Sequence, residues 1–366
     1  MKNKKNSVSR RSLIKGLVTM PALYGLSKVD SFAIGKSKSN SSKYISDENL
    51  ILLQDLKGIL PKGKFWNWQI SRLIIGCNPM GGWSHSRDLT YVGALSKKWH
   101  TNEKMKETWA IAEKAGINFA NIVAFQYPIF KEFKNETGSK MLCVSQCSIG
   151  REDDRLKPLK EAVDSGVDCI YIQGENTDGL AQNKQLDCLH EAYEYTHSQN
   201  MPFGIGAHSL QTIKETIDLG IKSDFYYKTF HHDKYWSATP LKNRVEYPQR
   251  NMFATRPAGE GATRSANTVP QKQIFTYPDH DQYNDNMWDM FNDRTIEFFK
   301  TIKVPLFGFK VLAAGAIKPA DGIRWAFENG SDFVCVGMYD FQVVSDVNIT
   351  IEILGSLGSR VRPWYS

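Results

Sequence analysis

The chain is predicted to fold as a single-domain (β/α)8 barrel, and three observations carry that prediction. Past residue 70, eight short apolar runs alternate with amphipathic segments bearing Lys and Glu. The runs are apolar nearly throughout, as parallel strands covered on both faces require. No glycine-rich phosphate loop follows the first run: Cys77-Asn-Pro-Met-Gly-Gly82 lacks the G-x-G-x-x-G register, which argues against an open doubly wound sheet. Eight strand–helix units in about 290 residues fit a closed barrel.

The elements follow in order. A strand at 72–77 (RLIIGC) is followed by a long connection, 78–103, and a helix at 104–115. A strand at 117–122 (INFANI) precedes a shorter helix within 128–139, and one at 141–147 (MLCVSQC) precedes a helix at 155–165. Next come 168–174 (DCIYIQG) with a helix at 185–199, and 202–207 (PFGIGA) with a helix at 209–220. The sixth strand, 224–230 (DFYYKTF), is separated from a helix at 292–302 by a connection spanning 231–291. The last two strands are 304–311 (VPLFGFKV) and 333–338 (FVCVGM), with helices at 320–329 and 341–354. Gly116, Gly166, Gly220 and Gly330 stand where helices end, because glycine takes the left-handed conformation that closes a last turn. The two oversized connections belong to the catalytic face of a barrel. The second carries Tyr235, Trp236, Tyr247, Tyr277, Tyr283 and Trp288, aromatic residues that could stack on sugar rings or pack on one another.

Composition narrows the function classes. With 41% hydrophobic, 23% charged and 12% aromatic residues in 366, the chain can bury a core, which excludes a disordered or collagen-like protein. No stretch has the roughly 18 to 20 uninterrupted apolar residues of a membrane span. Residues 1–33 carry seven Lys and Arg against Asp30, so only +1 of the formal +7 belongs to the remaining 333 residues. A nearly neutral body has no broad attraction for nucleic acid.

The basic segment reads as targeting machinery. Ser9-Arg10-Arg11-Ser12-Leu13-Ile14-Lys15 resembles the twin-arginine export signal, followed by an apolar run from Leu17 to Leu26 and a small-x-small site at Ser31-Phe32-Ala33. That resemblance implies export of a folded protein to the periplasm by the twin-arginine machinery. Residues 34–47 read as a polar linker and 48–366 as the barrel domain. The six cysteines, Cys77, Cys143, Cys147, Cys169, Cys188 and Cys335, fall mostly in apolar runs and read as small buried hydrophobes without metal spacing.

At the second strand, Gly116-Ile-Asn-Phe-Ala-Asn121 resembles the aldo/keto reductase pattern in which G-I-N-F-F precedes a catalytic Asp, with a catalytic Tyr five residues on. The likeness extends to Arg72-Leu-Ile-Ile-Gly-Cys, Tyr171-Ile-Gln-Gly, Phe203-Gly-Ile-Gly-Ala-His208 and Val304-Pro-Leu-Phe-Gly-Phe, covering roughly residues 70–350. The family's tetrad is Asp, Tyr, Lys and His; this sequence has Asn121, Gln126 (with Tyr127 adjacent), Gln146 and Gln173 at those places. Amides do not relay protons at neutral pH. Asp340, in Gly337-Met-Tyr-Asp340, stands where the family holds a 2′-phosphate and would repel one. The resemblance thus implies the fold and makes NADPH-dependent carbonyl reduction by the usual tetrad unexpected.

Polar residues at the C-terminal ends of barrel strands are the alternative candidates. Lys310 interrupts Leu306-Phe-Gly-Phe-Lys-Val-Leu312 and Lys228 interrupts Phe225-Tyr-Tyr-Lys-Thr-Phe230. A buried amine with a lowered pKa can act as a base or form a Schiff base; otherwise each reaches the rim and pairs with Glu175 or Asp233. Gly204, Gly206 and His208 share one strand face, as do Tyr171, Gln173 and Glu175. If those faces point inward, the glycines leave room for a substrate below His208. His208, His231, His232 and Glu175 could hold a divalent metal, although adjacent histidines in an extended segment point opposite ways; ordinary rim histidines are the alternative. His85, on the first long connection, could fold over the site.

These readings add up to an exported barrel enzyme acting on a carbonyl- or hydroxyl-bearing small molecule, such as a sugar derivative, by carbonyl polarisation and proton transfer of the lyase or isomerase type. Lys310 or Lys228 would be base or electrophile, His208 with His231 or His232 acid or metal ligand, and Glu175 the orienting carboxylate. Asn121, Gln146, Gln173, Tyr127, His85 and Trp236 would contact substrate. No cofactor is specified: a divalent metal is one option and NAD(P) the less expected one. The rival readings are an aldo/keto reductase-like oxidoreductase using NAD(P) and a non-catalytic sugar-binding barrel.

Overall fold

A computed structural model describes residues 41–85, 89, 91–149, 154–247 and 287–366. The leader expected at 1–33 lies outside the described residues, as do Tyr277 and Tyr283.

The chain reaches the barrel through an antiparallel hairpin, β1 (Lys62–Phe65) and β2 (Trp68–Ser71). The eight barrel strands follow: β3 (Leu73–Gly76), β4 (Phe119–Ile122), β5 (Leu142–Cys147), β6 (Cys169–Ile172), β7 (Phe203–Ala207), β8 (Phe225–Thr229), β9 (Leu306–Phe309) and β10 (Phe333–Gly337). They close in the order β10-β3-β4-β5-β6-β7-β8-β9, β10 pairing in parallel with β3 (Val334 opposite Leu73). Each of the eight predicted runs contains one of these strands.

The helices are α1 (Asp47–Leu53), α2 (Asn78–Gly81), α3 (Tyr91–Trp99), α4 (Asn102–Lys114), α5 (Tyr127–Thr137) and α6 (Lys157–Asp164). They continue with α7 (Gly174–Gln182), α8 (Cys188–Ser198), α9 (Leu210–Asp218), α10 (Asn292–Phe299), α11 (Pro319–Glu328) and α12 (Val343–Gly355). Side-chain caps close two helix starts: Thr101 accepts from the Lys104 N–H and Ser209 from the Gln211 N–H, each satisfying an orphan donor. Gly116, Gly166, Gly220 and Gly330 have φ of 99°, 79°, 71° and 109°, as their places at helix ends require.

Three features depart from expectation. The linker was placed up to residue 47, but Ser41–Tyr44 form a 3-10 turn; Tyr44 packs on Phe133 and Ile45 is buried. The hairpin β1–β2 has no counterpart in the eight-run pattern. Its Phe65 plugs the N-terminal end of the barrel, meeting Phe225 and Phe307 edge-on at 5.1 and 5.0 Å. Third, Gly204 and Gly206 do face inward, yet they leave no substrate space. A Cβ on Gly204 would lie 2.4 Å from the Phe225 ring and one on Gly206 2.5 Å from the Ile172 carbonyl. Tyr171 and Tyr227 fill the adjoining layer as a stacked pair at 4.3 Å. The glycines admit large rings to a close-packed barrel core.

One buried acid in the helix layer makes stability depend on pH. Asp346, in the first turn of α12, is 5% exposed, and burial raises its pKa to about 7. Its folded value therefore exceeds its unfolded one, so ionisation opposes folding, fully above about pH 7 and not at all below about pH 4. Asp346→Asn is expected to stabilise the fold by roughly 2–4 kcal/mol at pH 8 and by little at pH 4. Urea unfolding at both pH values checks this; an equal effect at the two would contradict it.

Candidate functional site

A cleft of about 290 Å³ opens at the C-terminal mouth of the barrel, close to the lower limit for cavities that enclose small ligands. It lies over the ends of β3, β9 and β10 and under the connection that follows β3. Asn121 and Gln146 form part of its lining, brought together because they are inward positions of adjacent strands. Beneath them Tyr171 is the coupler: Asn121 Nδ2 donates to its Oη (3.1 Å), which donates to Gln146 Oε1 (2.7 Å). Asn121 Oδ1 and the Trp288 indole Nε1, both buried and belonging to cleft-lining residues, have no hydrogen-bond partner among the described residues. Unmet polar atoms at a cavity wall are expected where a ligand supplies the partner.

The turn leaving β9 forms the opposite side. Lys310, Ala313 and Ala314 have φ of 53°, 44° and 54°, followed by Gly315 at 85°. Three non-glycine residues in the left-handed region are costly, and such strain collects at ligand sites. The turn closes on itself through backbone hydrogen bonds: the N–H groups of Ala313 and Gly315 donate to the carbonyls of Lys310 and Leu312 (both 2.9 Å), and that of Ile317 donates to the Leu312 carbonyl (3.0 Å). Lys310 lines the same cleft, with Nζ 3.4 Å from the centroid of the Trp288 ring; a cation over an aromatic face is favoured as the ammonium.

The other expected catalytic residues are placed differently. Lys228 shares the outward face of Tyr226, not the interior. Its Nζ is buried against Thr229 O and Oγ1 (both 2.9 Å) and Asp289 Oδ1 (3.3 Å). Burial pushes Lys228 down and Asp289 up, each toward its neutral form, against their mutual attraction. Glu175 is not a strand-end group: the chain turns into α7 at Gly174, leaving Glu175 exposed on the first turn. Gln173 precedes that turn, its Oε1 accepting from Ser148 Oγ at 3.1 Å. The carboxylate that approaches His208 is Asp178, one helical turn on. It accepts from His208 N (2.9 Å), His208 Nδ1 (3.0 Å) and Thr212 Oγ1 (2.6 Å). Burial, reinforced by Lys310 and Lys228, holds the His208 pKa near 4, so His208 is neutral with its proton on Nδ1. Its ring lies against Trp288 (4.6 Å) and Phe309 (5.6 Å), behind the cleft wall.

The metal expectation is corrected on the same grounds. Both nitrogens of His231 are engaged: Nδ1 donates to the His232 carbonyl (2.9 Å), and Nε2 accepts from the N–H groups of Trp288 (3.0 Å) and Asp289 (3.1 Å). Burial lowers its pKa to about 3. His232 is half-buried, its Nδ1 accepting from Lys234 N (3.1 Å). Among the described residues no three His, Cys, Asp or Glu side chains converge as a metal site.

The remaining candidates divide. His85 does line the cleft, edge-on to Trp288 at 5.0 Å. Tyr127 lies behind β5, its hydroxyl against Ser145 and its pKa raised by burial; it borders a separate groove. Gln126 is fully buried, Nε2 3.1 Å from Met80 Sδ. Trp236 is 75% exposed and outside the cleft lining. Cys77 and Cys335 line the cleft, but burial raises both thiols, Cys335 to about 11, so they remain protonated. Asp340 is buried, its carboxylate accepting from Trp99 Nε1 (3.0 Å), Asn49 Nδ2 (2.9 Å) and Lys104 Nζ (3.0 Å), the last shared with Glu107 at 2.6 Å.

Sequence reasoning missed Asp178, Asp289 and the Ala313–Gly315 turn. Asp289 had a usable signal, an acid within apolar Met287-Trp-Asp-Met-Phe291, the mark that singled out the lysines. Asp178 had none, since its partner is thirty residues away.

No protein-family model matches the chain, and no curated protein matches it. Solved structures that resemble it are (β/α)8-type enzymes at low identity. A protein described as an aldo-keto reductase from Pseudomonas aeruginosa is 11% identical with a TM-score of 0.49, covering 83% of this chain and 98% of its own. The glycerol dehydrogenase of Gluconobacter oxydans is 12% identical (TM-score 0.40; 82% and 90% covered). A protein described as a lactate oxidase from Pediococcus acidilactici is 10% identical (TM-score 0.42; 87% and 80% covered). Similarity this low leaves the site to be read from this chain's own residues.

Proposed function

We propose that this chain is a barrel oxidoreductase acting on a carbonyl- or hydroxyl-bearing small molecule, such as a sugar derivative, with a nicotinamide dinucleotide seated in the cleft. The supporting observation is the strained, left-handed turn with Lys310 beyond β9, at the place where barrels hold phosphates between the loops of their seventh and eighth strands. The cleft offers the Lys310 ammonium to the diphosphate and Asn121 Oδ1 as an unmet acceptor to a carboxamide N–H.

A bound nicotinamide supplies or accepts the hydride. The protein's part is to polarise the carbonyl and deliver a proton. The tetrad amides cannot do so; the Lys310 ammonium on the cleft wall can. Proton abstraction of the lyase or isomerase type loses its partners, because Lys228 is committed to Asp289 and Glu175 is exposed. One observation favours a second reading: Asn121 and Gln146 offer a cleft floor suited to sugar hydroxyls, as a non-catalytic binding barrel would have.

Calorimetric titration of the purified protein with NADH and NADPH tests the proposal. Saturable one-site binding of either is expected. Absence of both, with saturable binding of a free sugar, would replace it by the binding-barrel reading.

A further inference from the structure

Lys310, Lys228, His208 and His231, read from the sequence as candidate catalytic groups or metal ligands, are gathered about one residue, Trp288. Its backbone N–H and that of Asp289 both donate to His231 Nε2. This is open only to the neutral ring protonated on Nδ1, and the His232 carbonyl selects that tautomer. The next residue, Asp289, is locked by Lys228 Nζ at 3.3 Å and Thr295 Oγ1 at 2.8 Å. The Trp288 carbonyl lies 3.3 Å from Thr229 Oγ1, itself 2.9 Å from Lys228 Nζ. The indole is then held between rings: His208, oriented by Asp178, at 4.6 Å and His85 edge-on at 5.0 Å, with the Lys310 ammonium 3.4 Å over its face.

Burying an amine, a carboxylate and two histidines off the cleft costs stability that apolar residues would not. The contacts of Lys228 with Asp289 and of His231 with the N–H groups of Trp288 and Asp289 meet on the segment that carries Trp288. We propose that Lys228, Asp289 and His231 are positioning residues: a buried anchor that fixes Trp288 as the cleft wall and, through its ring, fixes where the Lys310 ammonium stands. The charged part of the ligand is thereby located by three residues that line no part of the cleft. The role of Lys310 toward the ligand rests on the function proposed above; the presentation of Trp288 does not.

The test compares His231→Leu, which removes the acceptor, with His231→Gln, whose Oε1 can still accept from both N–H groups. The first readout is acrylamide quenching of Trp288 emission, isolated by subtracting the same variant carrying Trp288→Phe, well below the unfolding temperature. The second is NADH and NADPH affinity. The anchor predicts that Trp288 becomes at least 3-fold more accessible in His231→Leu and returns to the native value in His231→Gln, with binding weakened about 10-fold or more and restored in parallel. If His231→Leu does not fold, Thr295→Val, which loosens Asp289 alone, is expected to raise accessibility in the same direction. Unchanged Trp288 quenching in variants that merely melt earlier would overturn the anchor. Restored shielding without any nucleotide binding, even in the native chain, would instead overturn the proposed function and leave the anchor standing.

Discussion

Lys310→Met is expected to weaken nucleotide binding roughly 30- to 150-fold, equivalent to about 2–3 kcal/mol for a charge-assisted contact. Methionine keeps the length and the unbranched stem, and at φ 53° it suffers the same backbone strain as lysine, so the substitution removes charge and little else. The lost cation–π contact with Trp288 is worth about 0.5–2 kcal/mol, which bounds the accompanying loss of stability. Lys310→Arg, retaining the charge, is expected to bind within about 10-fold of the native chain, since a planar fork fits the turn less well than a point charge. Turnover should fall further than affinity in Lys310→Met if the ammonium also delivers the proton. Calorimetry and steady-state assays on the three proteins read both quantities. Native affinity in Lys310→Met would remove this residue from the site.

The largest stability effect belongs to Lys228. Replacing it by methionine leaves Asp289, 1% exposed and with Oδ2 already unpaired, as an isolated buried carboxylate. Breaking such a pair from one side costs about 3–5 kcal/mol. Neutralising both partners, in Lys228→Met with Asp289→Asn, is expected to recover most of it, because the amide oxygen still accepts from Thr295 and no lone charge remains. The single variant carries its own pH signature. Burial raises the folded pKa of Asp289, and without Lys228 the hydrogen bond from Thr295 is left to oppose that. Its penalty is therefore present at high pH and relieved as acid protonates the carboxylate, so the gap between single and double variants narrows from pH 8 to pH 5. Equal urea midpoints for the two at pH 8 would show that the pair is not what stabilises this corner.

Much of the barrel was legible because its signals are local. A strand covered on both faces must be apolar along its length, and a helix must end on a residue that tolerates positive φ; both are written in consecutive residues such as Phe333–Gly337 and Gly116. The hairpin plug was not legible, since Lys62–Phe65 carries no more hydrophobicity than a surface turn until Phe65 is seen inside the barrel. The helix at Gly174–Gln182 was also missed, and with it the fact that Glu175 leaves the strand while Asp178 returns to His208.

The site divides in the same way. Sequence alone determined the fold class, the strand-end placement of Asn121, Gln146 and Lys310, and that charges within Phe225–Phe230 and Leu306–Leu312 needed explanation. The tertiary structure decided which of those charges faces the cleft. Lys310 lies past the end of β9, where the turn swings it over Trp288, whereas Lys228 is one residue out of phase with the interior Tyr227 and meets Asp289 in the helix layer. That parity, and a partner sixty-one residues away, are set by closure of the barrel: side-chain direction alternates at every residue, and the identity of the opposing group depends on how distant segments pack.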